Sequence, residues 1–295
     1  MSTERFRRVA QLWNWLPAFR GVAEHESIHK ASIVLGTSPS ALSRTVKLLE
    51  DCLGVDLFVR RAQSLALTTD GTRLLAATRD AMRLVDDGLP ADADRNRPAL
   101  PVIVGVASPT AGSAVALALA AAAVRELGVR TAVANVEEEA GVEALLRGEL
   151  DLVVGPSASP VAGVLVERAG QATIGVYATR THPLAALERA PSEDDLAAAP
   201  FAARDGNDGW PVERTRNVVA SSPTLDGVLA LCAEAGAVTA LCDLLVSRLV
   251  GESLARLCDA GPPQVLYVLR RKPLEHQDTR MLDAIVGALR SCLDP

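Results

Sequence analysis

Residues 37–50 read TSPSALSRTVKLLE and predict one short helix with two different faces. Leu42, Val46 and Leu49 recur at helical spacing, which predicts a face packed on a core. The opposite face carries hydroxyl groups and positive charge, at Ser40, Ser43, Arg44 and Lys47. Two interpretations fit that polar face: an ordinary solvated surface, or a surface that meets a polyanion.

The residues before this helix predict a second short helix and a tight turn. Ser27 is suited to cap a helix that ends at Gly36. After the turn, Ser38 can cap the next helix, with Pro39 at its first position, where a missing N–H costs nothing. Two short helices joined in this way form a helix-turn-helix.

The residues after the helix predict a β-hairpin and a long helix. Two β-type runs, residues 57–60 and 65–67, are separated by a short link, which predicts a wing. Thr69 or Asp70 can then cap a helix that reaches about Leu89. This helix has apolar residues at the a/d spacing of paired helices, namely Leu74, Ala77, Ala81 and Leu84.

The first 25 residues also have helical periodicity. Apolar side chains recur at Phe6, Val9, Leu12, Trp13, Leu16 and Phe19. Because proline lacks an N–H and clashes with the preceding turn, Pro17 predicts a helix break or a helix start nearby.

Charge is unevenly spread along the 295 residues, whose net charge is −6. Residues 1–65 hold nine basic and six acidic residues, whereas residues 99–295 hold 16 basic and 24 acidic ones. Because the N-terminal part is basic and the rest of the chain is acidic, a polyanion is expected to contact the first 65 residues.

The N-terminus is charged and has no signal-peptide pattern, so we expect a cytoplasmic protein. The five cysteines form no CxxC pair, so we expect buried thiols.

Beyond a polar, Pro-flanked linker at residues 90–101, the pattern changes to alternating strands and helices. Continuous apolar runs predict strands at 102–107, 131–136, 150–155, 172–179 and 264–269. Helices are predicted between them, including 224–235, 242–250 and a closing helix at 279–292. This alternation predicts an α/β domain with mostly parallel sheets.

A family resemblance now becomes visible in ASIVLGTSPSALSRTVKLLEDCLGVDLFVRRAQSLALTTDG, residues 31–71. The segment resembles the winged helix-turn-helix head of LysR-type transcriptional regulators. The residues that match the family pattern are Ala31, Leu35, Ser38, Ala41, Ser43, Leu49, Glu50, Leu53, Gly54, Leu57, Phe58, Arg60, Leu67, Thr68 and Gly71. Ser32 and Pro39 depart from it, since alanine and glutamine are usual there. The loss of that glutamine removes one typical DNA contact.

The resemblance implies an α/β protein with three parts. Residues 1–68 would form the winged helix-turn-helix domain, 69–99 a linker helix and hinge, and 100–295 an effector-binding domain. The last would resemble type II periplasmic binding proteins, with lobe one at 100–170 and 265–295 and lobe two at 171–264. The implied partners are double-stranded operator DNA, a small-molecule effector and further copies of the chain, as a homodimer or homotetramer, without a membrane.

In such a protein the polar helix face would enter the major groove of DNA. Arg44 could bind guanine, Lys47 a phosphate, and the small serines would allow close approach. In the wing, Arg60 could equally be structural. The DNA-binding residues expected on this basis are Lys30, Ser38, Ser40, Ser43, Arg44, Lys47, Arg60, Arg61 and Ser64.

The expected effector site lies beyond the carboxyl ends of parallel strands. Ser108 and Thr110 follow the first strand at a helix start, where free N–H groups and hydroxyls can hold a carboxylate or a similar anion. Ser108 could also serve only as a helix cap. Gly155, Arg204 and Thr239 are further candidate pocket residues.

Two other functions compete with a regulator. An enzyme with a winged-helix appendage would need a nucleophile with a base, a phosphate loop or a metal cluster, and the body shows none of these patterns. We therefore expect no catalytic residues, no metal and no cofactor.

A redox sensor that uses Cys232 and Cys242 is the second alternative, although neither thiol has a basic neighbour in sequence to lower its pKa.

Overall fold

The computed structural model describes residues 3–61, 64–87, 101–108, 112, 115, 116, 118, 131–204, 210, 211, 213–273 and 279–293. The chain divides into two compact units. The first comprises Met1–Leu100 with Leu146–Glu149, and the second comprises Pro101–Leu145 with Leu150–Pro295. Each unit contains hydrophobic clusters of its own.

The first unit has four helices and one hairpin in its described part. In chain order the elements are α1 (Thr3–His25), α2 (Ile28–Leu35), α3 (Pro39–Leu53), β1 (Phe58–Arg61), β2 (Ser64–Leu67) and α4 (Thr69–Asp87). α2 and α3 form the predicted helix-turn-helix, and β1 pairs antiparallel with β2 as the predicted wing.

The caps of α2 and α3 confirm the predicted helix boundaries. The Ser27 hydroxyl accepts a hydrogen bond from the Lys30 N–H, and the Ser38 hydroxyl accepts one from the Ala41 N–H. α2 ends at Gly36 with φ 61°, and α3 ends at Gly54 with φ 72°. Glycine suits both ends because it adopts this left-handed conformation without steric cost.

The predicted break at Pro17 is wrong. α1 runs without interruption from Thr3 to His25 with Pro17 inside it. Trp15 and Leu16 before the proline, and Phe19 after it, pack into one hydrophobic cluster with α3 and α4. This packing on both sides holds the helix together, although Pro17 cannot donate to the preceding turn.

The cap of α4 lies one residue before the first of its two predicted caps. The Thr68 hydroxyl accepts from the Gly71 N–H at 3.0 Å and donates to the Asp56 carbonyl at 2.8 Å, so Thr68 rather than Thr69 or Asp70 caps the helix. Its predicted end, Leu89, lies outside the described residues. The residues at a/d spacing become more exposed along the helix: Leu74, Ala77 and Ala81 are half-buried, and Leu84 is exposed.

Two hydrophobic clusters hold the first unit together. Phe19, Leu49, Leu57 and Leu75 form the larger one with Ala23. The second cluster lies under the helix-turn-helix and consists of Val22, Ala31, Leu42 and Val46. α1 contributes to both clusters, so it forms the common base for α2, α3 and α4.

The second unit is mixed α/β. Its strands are β3 (Val102–Val106), β4 (Thr131–Asn135), β5 (Leu152–Gly155), β6 (Val164–Ala172), β7 (Ile174–Thr179), β8 (Pro200–Arg204), β9 (Asn217–Ser222), β10 (Thr239–Cys242), β11 (Leu254–Asp259) and β12 (Gln264–Arg271). Its helices include α5 (Glu138–Leu146), α6 (Glu193–Ala198), α7 (Leu225–Ala235) and α8 (Arg280–Leu293).

The strands form a five-stranded sheet in the order β4-β3-β5-β12-β6, a three-stranded sheet in the order β10-β7-β11, and the pair β8-β9. β3 is parallel to β4 and β5, and β8 is parallel to β9. β12 is antiparallel to β5 and β6, and β7 is antiparallel to β10 and β11. The expectation of mostly parallel sheets is therefore wrong, because the strands that link the sheets run against their neighbours.

Five strands were not predicted from the sequence, namely β6, β8, β9, β10 and β11. β6 includes Glu167, Arg168 and Gln171, and β9 is exposed along its first three residues. Mixed polar strands of this kind lack the continuous apolar run on which the prediction rested.

The predicted helix at 242–250 is also irregular. Cys242 belongs to β10, Asp243–Leu245 form one short α-helical turn, and Val246–Val250 form a π-helical turn. The helix predicted to start near Ser108 and Thr110 lies largely outside the described residues. Throughout the part that the structure describes, no helix is long and apolar enough to cross a membrane.

The main core of the second unit joins its two larger sheets. Val104 of β3, Leu266 of β12 and Ile285 of α8 share one cluster with Tyr177 of β7 and Leu241 of β10. The chain passes from the five-stranded to the three-stranded sheet at residue 173, and it returns through residues 260–263. These two crossings agree with the two-lobed architecture expected from the resemblance.

Gly71→Ala should destabilise the first unit. A Cβ at position 71 would lie 2.1 Å from the Leu57 carbonyl oxygen, a backbone atom that cannot rotate away. We expect a loss of about 2 kcal/mol or more in the free energy of unfolding, measured by urea denaturation. In contrast, Gly287→Ala adds a Cβ to open space in α8 and should stabilise the chain by about 0.5–1 kcal/mol. Equal stability of the two variants would contradict this prediction.

Candidate nucleic-acid interface

α3 presents the polar face that the sequence predicts. Leu42, Val46 and Leu49 are buried beneath the helix. The side chains on the other side are exposed, and they are Ser40, Ser43, Arg44 and Lys47. Because the apolar face is anchored, the polar face has a defined orientation on the first unit.

The N-terminus of α3 gathers two hydroxyl groups at the positive end of the helix dipole. The Ser38 hydroxyl caps the helix and lies 3.2 Å from the Ser40 hydroxyl. The first N–H groups of a helix and its dipole favour a negatively charged ligand. This end of the helix is therefore suited to a phosphate oxygen.

The two cations of α3 differ in their surroundings. The Lys47 ammonium lies 3.2 Å from the Asp51 carboxylate, and this hydrogen bond raises the pKa of Lys47 above its usual value. Arg44 is exposed and has no ion-pair partner among the residues that the structure describes. A guanidinium group without a competing carboxylate can donate to a base edge or a phosphate.

Glu50 joins α3 to the wing, a role that was not inferred from the sequence. Its carboxylate accepts hydrogen bonds from the backbone N–H groups of Leu57 at 2.8 Å and Phe58 at 3.3 Å. The start of β1 is thereby held at the C-terminal part of α3. The Leu49-Glu50 doublet in the matched motif was the available signal.

The wing places its basic residues at the end of the hairpin. Arg60 pairs with Leu65, and Arg61 pairs with Ser64, in the β1–β2 register. The side chains of Arg60, Arg61 and Ser64 lie outside the described part of the structure. Lys30 is exposed in the first turn of α2.

In the second unit, the structure brings two of the five predicted effector residues together. Ser108 follows β3 and is buried, and Gly155 ends the adjacent parallel strand β5. The Ala107 N–H donates to the Val154 carbonyl at 2.9 Å. A Cβ at position 155 would lie 3.0 Å from the Ala107 Cβ, so the two strand ends touch.

The other predicted effector residues are spread over different elements. Arg204 ends β8, opposite Ser222 of β9, and its side chain is half-buried. Thr239 is buried in β10, and its hydroxyl donates to the Ala202 carbonyl at 2.9 Å. That hydroxyl therefore already has a protein acceptor. Thr110 lies outside the described residues.

A polar network beside Thr239 was also not predicted from the sequence. The buried Tyr177 hydroxyl donates to the Asp243 carboxylate at 2.7 Å, and Arg256 binds the same carboxylate through Nε and Nη2. Burial, followed by the hydrogen bond to Asp243, raises the pKa of Tyr177. Thr239 is the cross-strand neighbour of Tyr177, so the network fixes the strands on which this candidate residue lies.

The two cysteines of the redox alternative are buried and reduced. Burial raises the pKa of the Cys232 thiol to about 11, and it also raises the pKa of Cys242. A raised pKa lowers the fraction of reactive thiolate at neutral pH. Both thiols therefore have the properties of structural cysteines.

Family models match both units of the chain. A model described as bacterial regulatory helix-turn-helix protein, lysR family, matches residues 13–72, and a LysR substrate binding domain matches residues 95–290. The chain belongs to the LysR family. The LysR helix-turn-helix match covers α2, α3 and the wing, and the LysR substrate binding match covers every strand of the second unit.

Known proteins of similar sequence or fold support this assignment. The HTH-type transcriptional regulator PcaQ of Agrobacterium fabrum is 30% identical over 174 residues, which are 57% of this chain and 55% of PcaQ. The chain thus matches about half the length of that LysR relative.

Two solved structures show the same fold. ArgP of Mycobacterium tuberculosis has a TM-score of 0.64 and 24% identity, over 95% of this chain and 96% of ArgP. Full-length LysG of Corynebacterium glutamicum with bound effector Arg has a TM-score of 0.61 and 24% identity, over 95% of this chain and 99% of LysG.

Glu50→Ala should destabilise the first unit by about 1–3 kcal/mol, because two backbone N–H groups at the start of the wing lose their acceptor. The free energy of unfolding is measured by urea denaturation. Asp51→Ala is the matched control: it removes the neighbouring carboxylate, whose ion-pair partner is the exposed Lys47. Similar stability of the two variants would refute the role given to Glu50.

Cys232 should make stability depend on alkaline pH. Its folded-state pKa of about 11 lies above the ordinary value of 9.0, so its stabilising contribution is complete below pH 9 and is lost as the pH rises towards 11. Cys232→Ala should flatten the fall in Tm over this range, measured by circular dichroism. Val228→Ala, in the same buried cluster, should lower Tm without changing the slope. An unchanged slope for Cys232→Ala would count against this assignment.

Proposed function

We propose that this protein is a ligand-responsive transcriptional regulator that binds operator DNA as a dimer or tetramer. The observation that carries the proposal is the exposed Ser/Arg/Lys face of α3, anchored from below and joined to a wing by Glu50. A helix of this kind fits the major groove of double-stranded DNA. PcaQ, one of the relatives that the chain matches, is an HTH-type transcriptional regulator.

The residues of the first unit divide into those that position the protein and those that read bases. Arg44 and Ser43 on the exposed face of α3 would contact base edges, and Ser40 would allow close approach. Phosphate contacts would come from the remaining predicted residues, namely Lys30, Ser38, Lys47, Arg60, Arg61 and Ser64. Phosphate contacts set the register on DNA, and base contacts set the sequence choice.

The second unit would bind a small-molecule effector. The edge where β3 and β5 end supports this role, because it combines the buried Ser108 with the close backbone approach at Gly155. An anion such as a carboxylate fits this chemistry. Arg204, Thr110 and Thr239 complete the proposed pocket. Because the Thr239 hydroxyl already donates a hydrogen bond to the Ala202 carbonyl, Thr239 would line the pocket without donating to the effector.

The proposed domain boundaries follow the same division. Residues 1–68 would bind DNA, 69–99 would link and pair two copies, and 100–295 would sense the effector from two lobes. Pairing through α4 is supported by the apolar residues at a/d spacing, of which Leu84 is exposed. The protein would act in the cytoplasm, where the operator is located.

Arg44→Ala should weaken specific DNA binding by about 10- to 100-fold, because a bidentate base contact is lost. The measurement is footprinting and fluorescence anisotropy with DNA from upstream of the protein's own gene. Arg189→Ala, which removes an exposed arginine from the second unit, is the control and should leave DNA affinity unchanged.

Affinity should also fall steeply with salt, since phosphate contacts release counterions. If the purified protein protects no DNA at low salt, the regulator proposal fails. Chemical consumption of a bound small molecule would instead favour the competing enzyme function.

A further inference from the structure

The return crossing between the two larger sheets is held by hydrogen bonds on both sides. β11 ends at Asp259, and the crossing follows at residues 260–263. The N–H of the fully buried Ala260 donates at 2.8 Å to the carbonyl of Ile174, the first residue of β7. The Ala260 carbonyl accepts a hydrogen bond from the Arg214 guanidinium group. One residue of the return crossing therefore contacts both the end of the outgoing crossing and Arg214.

Arg214 uses all three nitrogens of its guanidinium group. Nε and Nη2 bind the two oxygens of the Glu193 carboxylate at 3.1 Å and 2.9 Å. Nη1 donates to the Asp259 carbonyl at 3.3 Å and to the Ala260 carbonyl. A bidentate pair between arginine and a carboxylate fixes the plane of the guanidinium group. The position of this side chain is therefore strongly restricted.

The same guanidinium group packs on Trp210, and Trp210 packs on β8. Arg214 Cζ lies 5.0 Å from the centroid of the Trp210 ring, and Trp210 Nε1 donates to the Arg214 carbonyl at 2.8 Å. The Trp210 ring meets the ring of Phe201, in β8, edge to face at a centroid distance of 4.9 Å. Both rings are buried. Because buried side chains are close-packed, a displacement of β8 also displaces Trp210 and Arg214.

The backbone next to Arg214 also contacts the return crossing. The Arg214 N–H donates to the Pro211 carbonyl at 3.1 Å, which closes a tight turn. A Cβ at position 261 would lie 2.8 Å from Pro211 Cγ, so Gly261 allows the crossing to approach this turn closely. Residues 262 and 263 are both proline, whose ring fixes φ. The two crossing residues without a fixed φ are thus the ones that contact the turn.

The proposed effector site draws on both sides of the crossings. Ser108 and Gly155 lie at one edge of the five-stranded sheet, whereas Arg204 ends β8, three residues after Phe201. A ligand that contacts all of them binds with an affinity that depends on the angle between the two sides. A change in that angle requires movement of the crossings, because they are the chain connections between the two larger sheets.

We propose that Arg214 couples effector binding at β8 to the angle between the two sides, an inference that rests on the proposed effector site. A shift of β8 passes through Phe201 and Trp210 to Arg214, and it changes the hydrogen bonds of Arg214 to the return crossing. Arg214 is a positioning residue in this proposal, since it contacts the crossing and not the effector.

Hydrogen exchange of the full chain, measured by mass spectrometry, tests the contact of Arg214 with the crossing. The reporting amides are those of Ala260 and Gly261, because the prolines that follow have no N–H. Arg214→Ala should speed exchange at residues 260–261 at least about tenfold, since opening of the crossing no longer breaks the Arg214 contacts. Arg214→Lys should have the same effect, because an ammonium group lacks the planar fork that binds carboxylate and carbonyls together.

Arg189→Ala is the matched control. It removes an ion pair between arginine and the Asp195 carboxylate of the same helix, α6, and it should leave exchange at residues 260–261 unchanged. If Arg214→Ala fails to fold, as judged by circular dichroism, Glu193→Gln replaces it. This change weakens the bidentate pair at an exposed side chain, and exchange should rise at least about threefold. Unchanged exchange in the variant that is used would overturn the proposal.

A panel of acetate, succinate and benzoate tests the coupling. A carboxylate that raises the Tm of the unchanged protein should also change exchange at residues 260–261 by about threefold or more. In Arg214→Ala the same carboxylate should still raise Tm, because the proposed pocket residues are intact. Exchange at residues 260–261 should no longer respond to it. A purely structural Arg214 would lower Tm and leave this response in place.

The outcomes separate failure of the inference from failure of the effector site. If a carboxylate raises Tm but does not change exchange at the crossing of the unchanged protein, the effector site stands and the inference alone is overturned. An equal response of exchange in the unchanged protein and in Arg214→Ala has the same meaning. If no carboxylate of the panel raises Tm, the proposed anion site fails and the coupling fails with it.

Discussion

Burial of one face of α3 is the constraint on which the first unit depends. Leu42, Val46 and Leu49 are held against the core that α1 builds, and this leaves the serines and cations of the other face outward. A helix docked by three apolar residues cannot rotate about its axis without exposing them, so the direction of Arg44 follows from the core. The same helix then positions the wing through the Glu50 carboxylate.

The second unit obtains its candidate site from parallel strands and its connections from antiparallel ones. β3 and β5 run side by side, so that Ser108 and Gly155 meet at one edge. β12 returns between β5 and β6 in the opposite direction and joins the three-stranded sheet to this one. The Tyr177–Asp243–Arg256 network then ties β7 to the segment after β10 and to β11.

Local patterns predicted a large part of the first unit. The caps at Ser27 and Ser38, the two faces of α3 and the paired strands of the wing were all predicted, because each depends on residues that are near one another in sequence. The prediction at Pro17 was wrong, because packing of Trp15, Leu16 and Phe19 outweighs the local cost of a proline. In the second unit the missed strands are stabilised by pairing with partners elsewhere in the chain, and the sequences of β6 and β9 are too polar to reveal them.

Local patterns along the chain were enough to predict a two-faced helix in a winged helix-turn-helix, and the resemblance added an α/β domain of the LysR type after it. Three features came from packing between distant segments: Glu50 holds the wing, the Thr239 hydroxyl donates a hydrogen bond to the Ala202 carbonyl, and Val9 and Trp13 remain exposed on α1. Periodicity and caps express interactions within a few residues, so they can be read along the chain. Hydrogen bonds and burial between distant segments depend on how the segments pack, and no local pattern records that packing.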